Sequence, residues 1–408
     1  MNFLNVTSEI GRLKKVMVHR PGKELENLTP KWLEHLLFDD IPWLDKAKEE
    51  HDNFVETLRK SGVEVLYLTD LMCETLDFDQ KVKNDFIKQF IDESNIYSES
   101  LKELVYEYLS KIDSTKELIE TTMAGIRKTD LENYEKRTLS DYIRDYPFIC
   151  DPMPNLYFTR DPFSIIGSGV AISSMKSNVR SRETIYGDYI FRYHPDYKNP
   201  KIQHFYHRLK KASIEGGDIL VLNKHIVAIG VSQRTHPFAI EDIAKELLIS
   251  NDHQFEKVLA FDIPKTRAFM HLDTVFTQVD TNIFLSHSDI QEELTVYELT
   301  LDLKKSKVLV KEIHKQLKDI LEYYLKREII LIPCGGNDVI SGAREQWNDG
   351  ANTLAISPGE VIVYERNHIT NDILRKHGVK VHTIESSELS RGRGGPRCMS
   401  MPFVRENE

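Results

Sequence analysis

The sequence predicts an α/β fold, a closed ring of small sheets built from about five β-β-α-β units and interrupted once by an inserted α-helical bundle. Three observations predict it. The segment Leu58-Arg59-Lys60-Ser61-Gly62-Val63-Glu64-Val65 returns near the far end as Leu374-Arg375-Lys376-His377-Gly378-Val379-Lys380-Val381. Three other stretches read as hairpins, two apolar runs around a tight turn. Residues 76–146 carry helical periodicity and almost no strand signal. Units that cannot bury their own faces stack against their neighbours, which makes a propeller-like ring with helices outside the natural assembly.

Each element has its own local cause. Ala47, His51, Phe54, Val55 and Leu58 recur at helical spacing, and Gly62 stands where a left-handed C-cap would end the helix before the strand from Val63. The second copy, with Gly378, reads the same way. Between residues 76 and 146, Phe86, Ile87, Phe90 and Ile91, then Leu101, Leu104, Val105 and Tyr108, then Leu118, Ile119, Thr122, Met123 and Ile126 mark successive apolar helix faces. The charges between them are read as solvated faces. The hairpins span Leu156 to Ile172 around Gly167-Ser168-Gly169, Ile219 to Ile229 around Asn223-Lys224, and Leu354 to Tyr364 around Pro358-Gly359. An arginine often follows the second strand, as at Arg20, Arg234 and Arg366. Helices are expected over Ile240 to Leu248 and Val308 to Leu325. The domain reading is therefore ring over 1–75, helical insertion over 76–146, and the rest of the ring over 147–408.

Composition narrows the function classes. Across 408 residues, 54 Lys plus Arg face 64 Asp plus Glu, a formal charge of -10. That balance argues against nucleic acid and against an anionic membrane as partners, and favours a small or cationic ligand. No apolar run approaches the roughly 20 residues of a membrane span, and MNFLNVTSEI has neither the basic nor the apolar region of a signal peptide. The expected location is cytoplasmic. Cys73, Cys150, Cys334 and Cys398 lie without any C-x-x-C, so neither a disulfide framework nor a zinc ribbon fits.

Four places set reactive side chains beside turn residues: Asn155 to Pro162, Ile214 to Asp218, Met270 to Thr274, and Arg393 to Pro402. Each lies near the start of a hairpin. In a ring of pseudo-symmetric units such positions converge on the axis, which would bring acids, a His/Asp pair and a thiol into one cavity. Singly, each has a bland alternative. Asp161 before Pro162 fits a turn. Glu215-Gly216-Gly217-Asp218 fits a β-bulge, and its leading acid and missing Gly-Lys-Ser/Thr continuation argue against a phosphate loop. His271 and Asp273, two apart, would share one strand face and could be structural or half a metal site, though no further His cluster completes one. Cys398 follows Arg393 and Arg397 in a glycine-rich stretch, where access and positive charge favour thiolate, or it is a small apolar residue of a terminal strand. Cys73, Cys150 and Cys334 are assigned as ordinary thiols.

Taken together and in order, Phe158-Thr159-Arg160-Asp161-Pro162, Glu215-Gly216-Gly217-Asp218, His271-Leu272-Asp273-Thr274 and Cys398-Met399-Ser400-Met401-Pro402 closely resemble the arginine deiminase family, from Gly11 to Pro402. The resemblance implies a five-bladed α/β propeller of the guanidine-modifying superfamily and hydrolysis of free L-arginine to citrulline and ammonia. It implies Cys398 as nucleophile, His271 as acid and base, Asp161 and Asp273 as guanidinium clamps, and Glu215 as a carboxylate holding substrate and histidine. Arg180 and Arg234 are implied at the substrate carboxylate, Asn155 and Phe158 as lining, and Arg393 as a mobile gate. These residue types suit the chemistry: two carboxylates fix the N–H forks of a planar cation while a thiolate attacks its carbon. No metal or other cofactor is called for, and a homo-oligomer is compatible with the reading. The rivals are an amidinotransferase or a deiminase of methylated or peptide-bound arginine, a non-enzymatic propeller scaffold, and a zinc hydrolase. The helical insertion and the two carboxylate-binding arginines favour free arginine.

Overall fold

One strand order recurs through the molecule: two consecutive strands pair antiparallel, and a third returns, usually through a helix, parallel to the second. In the computed structural model, residues 4–408 are described except 133, 137–138, 144, 251–254, 267–268, 288–289, 291–292, 303 and 306, and the side chains at 140 and 141. The first sheet joins the chain ends, with Met401–Arg405 antiparallel to Leu13–Val18 and Glu64–Tyr67 parallel to it. The second contains Phe163–Ile166, Gly169–Ile172 and His204–Tyr206. The third contains Ile219–Asn223, Ile226–Val231 and Lys257–Asp262, the fourth Phe276–Gln278, Ile283–Ser286 and Ile330–Pro333, and the fifth Leu354–Ser357, Glu360–Tyr364 and Lys380–Ile384. The returning helices are Leu44–Lys60, Glu183–Tyr193, Pro237–Ile249, Leu317–Leu325 and His368–Lys376.

The sequence repeat is a structural one. Gly62 and Gly378 hold φ of +79° and +83°, a conformation only glycine adopts freely, and Val63 and Val379 donate to the carbonyls of Leu58 and Leu374, both at 3.1 Å. Each cap turns a helix into the strand beneath it, so both leucines end up buried.

Three expectations need correction. Val308 to Leu325 is not one helix: Lys307–Gln316 is a strand paired residue for residue with Glu293–Asp302, and only Leu317–Leu325 is helical. The β-branched residues Val308, Val310 and Ile313 favour the extended form, and that hairpin widens the third sheet to five strands. The hairpin assigned from Leu156 begins at Phe163, because Pro154–Tyr157 forms a 3₁₀ turn whose first position suits proline. The turn assigned to Asn223-Lys224 falls one residue later, since Asn223 still pairs with Ile226.

Helix already begins at Leu68, directly after the first sheet, and continues as Leu68–Asp77, Gln80–Asp92, Glu99–Ser110 and Thr115–Ala124. Their apolar faces merge into the core beneath the second sheet. Phe86 packs its ring on Tyr186 and Tyr189 of the second returning helix, and the Thr122 and Tyr186 hydroxyls are 3.1 Å apart.

Candidate active site

Each of the five like-ordered sheets is preceded at its first strand by a segment that reaches one cavity or its wall. Asp161 stands two residues before Phe163–Ile166, and Glu215 to Asp218 lead into Ile219–Asn223. His271 and Asp273 precede Phe276–Gln278, Asn352 precedes Leu354–Ser357, and Cys398 precedes Met401–Arg405. The cavity, about 610 Å³, is lined among others by Asn155, Phe158, Asp161, Arg180, Arg234, His271, Arg393 and Cys398. Glu215 and Asp273 lie just behind that lining, both wholly buried and bonded to it.

His271 is not on a strand. It caps the one-turn helix Leu272–Val275, with Asp273 in the first turn, so the reasoning from strand faces fails although the two residues do reach one site. Its Nε2 lies 2.9 Å from Glu215 Oε2 and its Nδ1 3.8 Å from Asp161 Oδ1. Burial works against the imidazolium, but Asp161, Glu215 and Asp218 outweigh it and raise the pKa to about 9. Glu215 also resists burial: Arg234, 3.4 Å from Oε2, and His271 hold it well below the usual carboxylate range. A β-carbon on Gly217 would stand 2.5 Å from His271 Nδ1, so the second glycine of that motif makes room for the imidazole. Neither a β-bulge nor a phosphate loop explains it.

Asp161 Oδ2 accepts from Arg180 Nη1 at 2.9 Å, and Asp273 Oδ2 accepts from Arg397 Nη1 at 2.8 Å. The other oxygen of each carboxylate, Oδ1, is buried without a hydrogen-bond partner. The arrangement is that of two carboxylates with acceptor capacity to spare beside a thiol, a cradle for a planar cation with several N–H donors.

Cys398 is 6% exposed, and its Sγ lies 3.5 Å from Asp273 Oδ2. The surroundings of the sulfur run against the expectation that neighbouring arginines favour its thiolate. Burial comes first, followed by the charges of Asp273, Asp161 and Asp349, and together they push the thiol well above its ordinary value. Arg397 opposes them only weakly because its guanidinium is committed to Asp273, to Glu9 Oε2 at 3.0 Å and to the Ile219 carbonyl. Arg393 reaches instead over the ring of Trp347, 3.7 Å from its centre. Cys150 and Cys334 are buried away from this cavity, and burial raises their thiols to about 11 and about 12; Cys73, half-buried on the helix Leu68–Asp77, is raised to about 11 for the same reason.

Arg180 forms ion pairs with both Asp161 and Glu183, and Arg234 pairs with Glu215; both residues line the cavity. Asn155 is held by its Nδ2 donating to the Leu36 carbonyl at 2.9 Å, and Phe158 packs on Tyr157. The motifs passed over Asn352 and placed Arg397 only as a charge beside the thiol. Arg397 is the buried link between Glu9 and Asp273, and Asn352 Oδ1 accepts from the Cys398 amide at 3.1 Å. Asn352 could have been found by counting units, since it stands two residues before its strand as Asp161 does before its own. Asp161, Glu215 and His271 bring ligand atoms within 4.8 Å of one another, the one such cluster among the described residues. At neutral pH the imidazolium has no lone pair to offer a cation.

A family model described as arginine deiminase matches residues 34–405. The chain is 55% identical over 406 residues to an arginine deiminase of Clostridium perfringens, covering 99% of this chain and 98% of that one. Against the arginine deiminase of Treponema denticola it is 52% identical over 409 residues, covering the whole of both. Two solved structures share the fold at low identity. SxtG, an amidinotransferase from Microseira wollei, has a TM-score of 0.55 at 14% identity, with 99% of this chain and 98% of that one covered. DDAH from Pseudomonas aeruginosa, complexed with citrulline, has a TM-score of 0.51 at 16% identity, with 96% and 100% covered.

Proposed function

The chain belongs to the arginine deiminase family, and on that premise we propose how its cavity hydrolyses free L-arginine to L-citrulline and ammonia. The observation that carries the reading is the pair of buried carboxylate oxygens, Asp161 Oδ1 and Asp273 Oδ1, that have no hydrogen-bond partner of their own. A guanidinium set between them supplies the missing donors, and its charge opposes the acids that keep the Cys398 thiol protonated. As the guanidinium enters, the Cys398 thiol releases its proton to solvent, and the sulfur then attacks the guanidinium carbon, forming an S–C bond. His271, charged at neutral pH, gives its proton to the departing nitrogen, and the C–N bond breaks to release ammonia. The covalent thiouronium is attacked by water, one of whose protons returns to His271; the S–C bond breaks, the second proton passes to the leaving sulfur to restore the thiol, and citrulline leaves.

Arg180 and Arg234 are the cations available for the substrate carboxylate, with Asn155 and Phe158 along the chain between the two ends. Roughly half the sequence is shared with arginine deiminases over the full length, against 14% with the amidinotransferase, which favours hydrolysis over transfer of the amidino group. We also read the five like-ordered sheets as blades of one propeller. The pairing of the first and last strands and the bridges Val6 to Gly167 and Ser174 to Ile214 between neighbouring segments support that closure. The helices from Leu68 to Ala124 are then an insertion between the first two blades. A cytoplasmic location fits four cysteines free of disulfides. The test is direct: purified protein given free L-arginine should release citrulline and ammonia in equal amounts. Failure to form citrulline would reject the proposal.

A further inference from the structure

The Glu-Gly-Gly-Asp motif ends in a residue that takes no part in the reaction steps. Asp218 is wholly buried at the end of the 3₁₀ turn Gly216–Asp218. Its Oδ1 accepts from the Leu272 amide at 2.9 Å, in the one-turn helix that presents His271 and Asp273. Its Oδ2 accepts from the Ser232 hydroxyl at 2.6 Å. Ser232 Oγ accepts in turn from the amides of Arg234 and Thr235 at 2.9 and 3.0 Å, and Thr235 Oγ1 accepts from the Glu215 amide at 3.2 Å. The backbone beside His271, the turn that carries Arg234 and the amide of Glu215 are thus strung on one carboxylate.

The donors decide which side chain can stand there. Ser232 Oγ already accepts from both amides and gives its single proton to Asp218, so a further donor aimed at it has no lone pair to meet. The Leu272 amide claims the other oxygen. A carboxylate, an acceptor at both positions, completes the set; an asparagine places an NH₂ at one of them and breaks it. The third sheet leaves room for the group: a β-carbon on Gly230 of Ile226–Val231 would stand 2.3 Å from Asp218 Oδ1 and 3.0 Å from the Leu272 β-carbon. Burial raises the carboxyl to about 6, opposed by the charge of His271 and the bonds from Ser232 and Leu272. Taking a charge out of water is costly, and the neighbours that offset the cost here are parts of the site.

We propose that Asp218 is a positioning residue shared by both ends of the cavity: it sets the imidazole of His271 for proton transfer and, through Ser232, the guanidinium of Arg234 for the substrate carboxylate. It touches no reacting atom. The inference rests on free arginine being the substrate, since only then does the Arg234 arm bear on KM.

Steady-state kinetics with L-arginine on Asp218→Asn, Ser232→Ala and the double variant test it, together with histidine NMR in a Cys398→Ala background. Asp218→Asn should lower kcat by about tenfold or more and also raise KM, as expected for losing a hydrogen bond to a charged group at each end. Ser232→Ala should raise KM more than it lowers kcat. Because both substitutions reach Arg234 through one bond, the double variant should raise KM by less than the product of the two single effects. The His271 titration should move down in Asp218→Asn and stay in place in Ser232→Ala, a difference that general loosening of the fold does not produce. Wild-type constants in Asp218→Asn, or independent effects in the double variant, would overturn the positioning role while citrulline release by the unmodified protein keeps the substrate reading intact. Unmodified protein that forms no citrulline would overturn both. Should Asp218→Asn not fold, Ser232→Ala decides alone, and an unchanged KM overturns the proposal.

Discussion

Cys398 Sγ lies 3.5 Å from Asp273 Oδ2, the same oxygen that accepts a 2.8 Å bond from Arg397 Nη1. The nucleophile is therefore tied to a carboxylate whose own place is fixed by a buried arginine. Asp273→Asn keeps the shape but removes the charge facing the substrate and weakens the hold of Arg397. Losing a hydrogen bond between charged groups costs about 1.5–3 kcal/mol, which corresponds to a loss of roughly tenfold to a hundredfold or more in kcat/KM. Steady-state kinetics with L-arginine check this, and a loss under tenfold would argue against the clamp.

Gly217→Ala tests the packing of the histidine. The added carbon would stand 2.5 Å from His271 Nδ1, so the imidazole must shift from its place between Glu215 and Asp161. Overpacking of this kind costs about 1–3 kcal/mol of stability. The expected result is a lowered Tm with a larger fall in kcat than in substrate affinity. Unchanged kcat would show that the imidazole has room to spare.

The protonation of His271 has a measurable signature. Its folded pKa of about 9 lies above the ordinary 6.5. Folding thus favours the charged form, so its contribution to stability is complete below about pH 6.5 and is lost as pH rises through about 9. Histidine NMR of Cys398→Ala should show one imidazole titrating near that value, and Glu215→Gln should move it downward. An imidazole already neutral at pH 7.5 would rule out its role as the acid in the first half-reaction.

Specificity for the free amino acid should follow from Arg180 and Arg234. Agmatine, which lacks the carboxylate, should be a very poor substrate, and Arg234→Ala should cost about 2 kcal/mol in kcat/KM for arginine, in the range of a hydrogen bond to a charged group. Equal turnover of agmatine and arginine would remove these arginines from substrate recognition.

How much of this was legible in the sequence depended on whether the signal was local. Gly62 and Gly378 were readable because a C-cap is decided within a few residues. The hairpin strands were readable from apolar runs and turns, whereas Val308 to Gln316 was misread because its apolar positions suit either period and the residues it pairs with lie 7 to 23 positions earlier in the chain. Glu215, His271 and Cys398 stood out as reactive types beside glycines or turns. The protonation of Cys398 was not legible: Arg397 looks like an activating neighbour until Glu9, nearly the whole chain away, is seen to share it. Asn352 has no chemical signature of its own and emerges only from its place ahead of the fifth sheet.

The central claim, that Cys398 carries the substrate covalently, is tested most directly by acid quench during turnover followed by peptide mass spectrometry. The account predicts an arginine-derived thiouronium adduct on the peptide containing Cys398, absent in Cys398→Ala, which should also form no citrulline. Citrulline production by Cys398→Ala, or an adduct on Cys73 or Cys334 in its place, would contradict it.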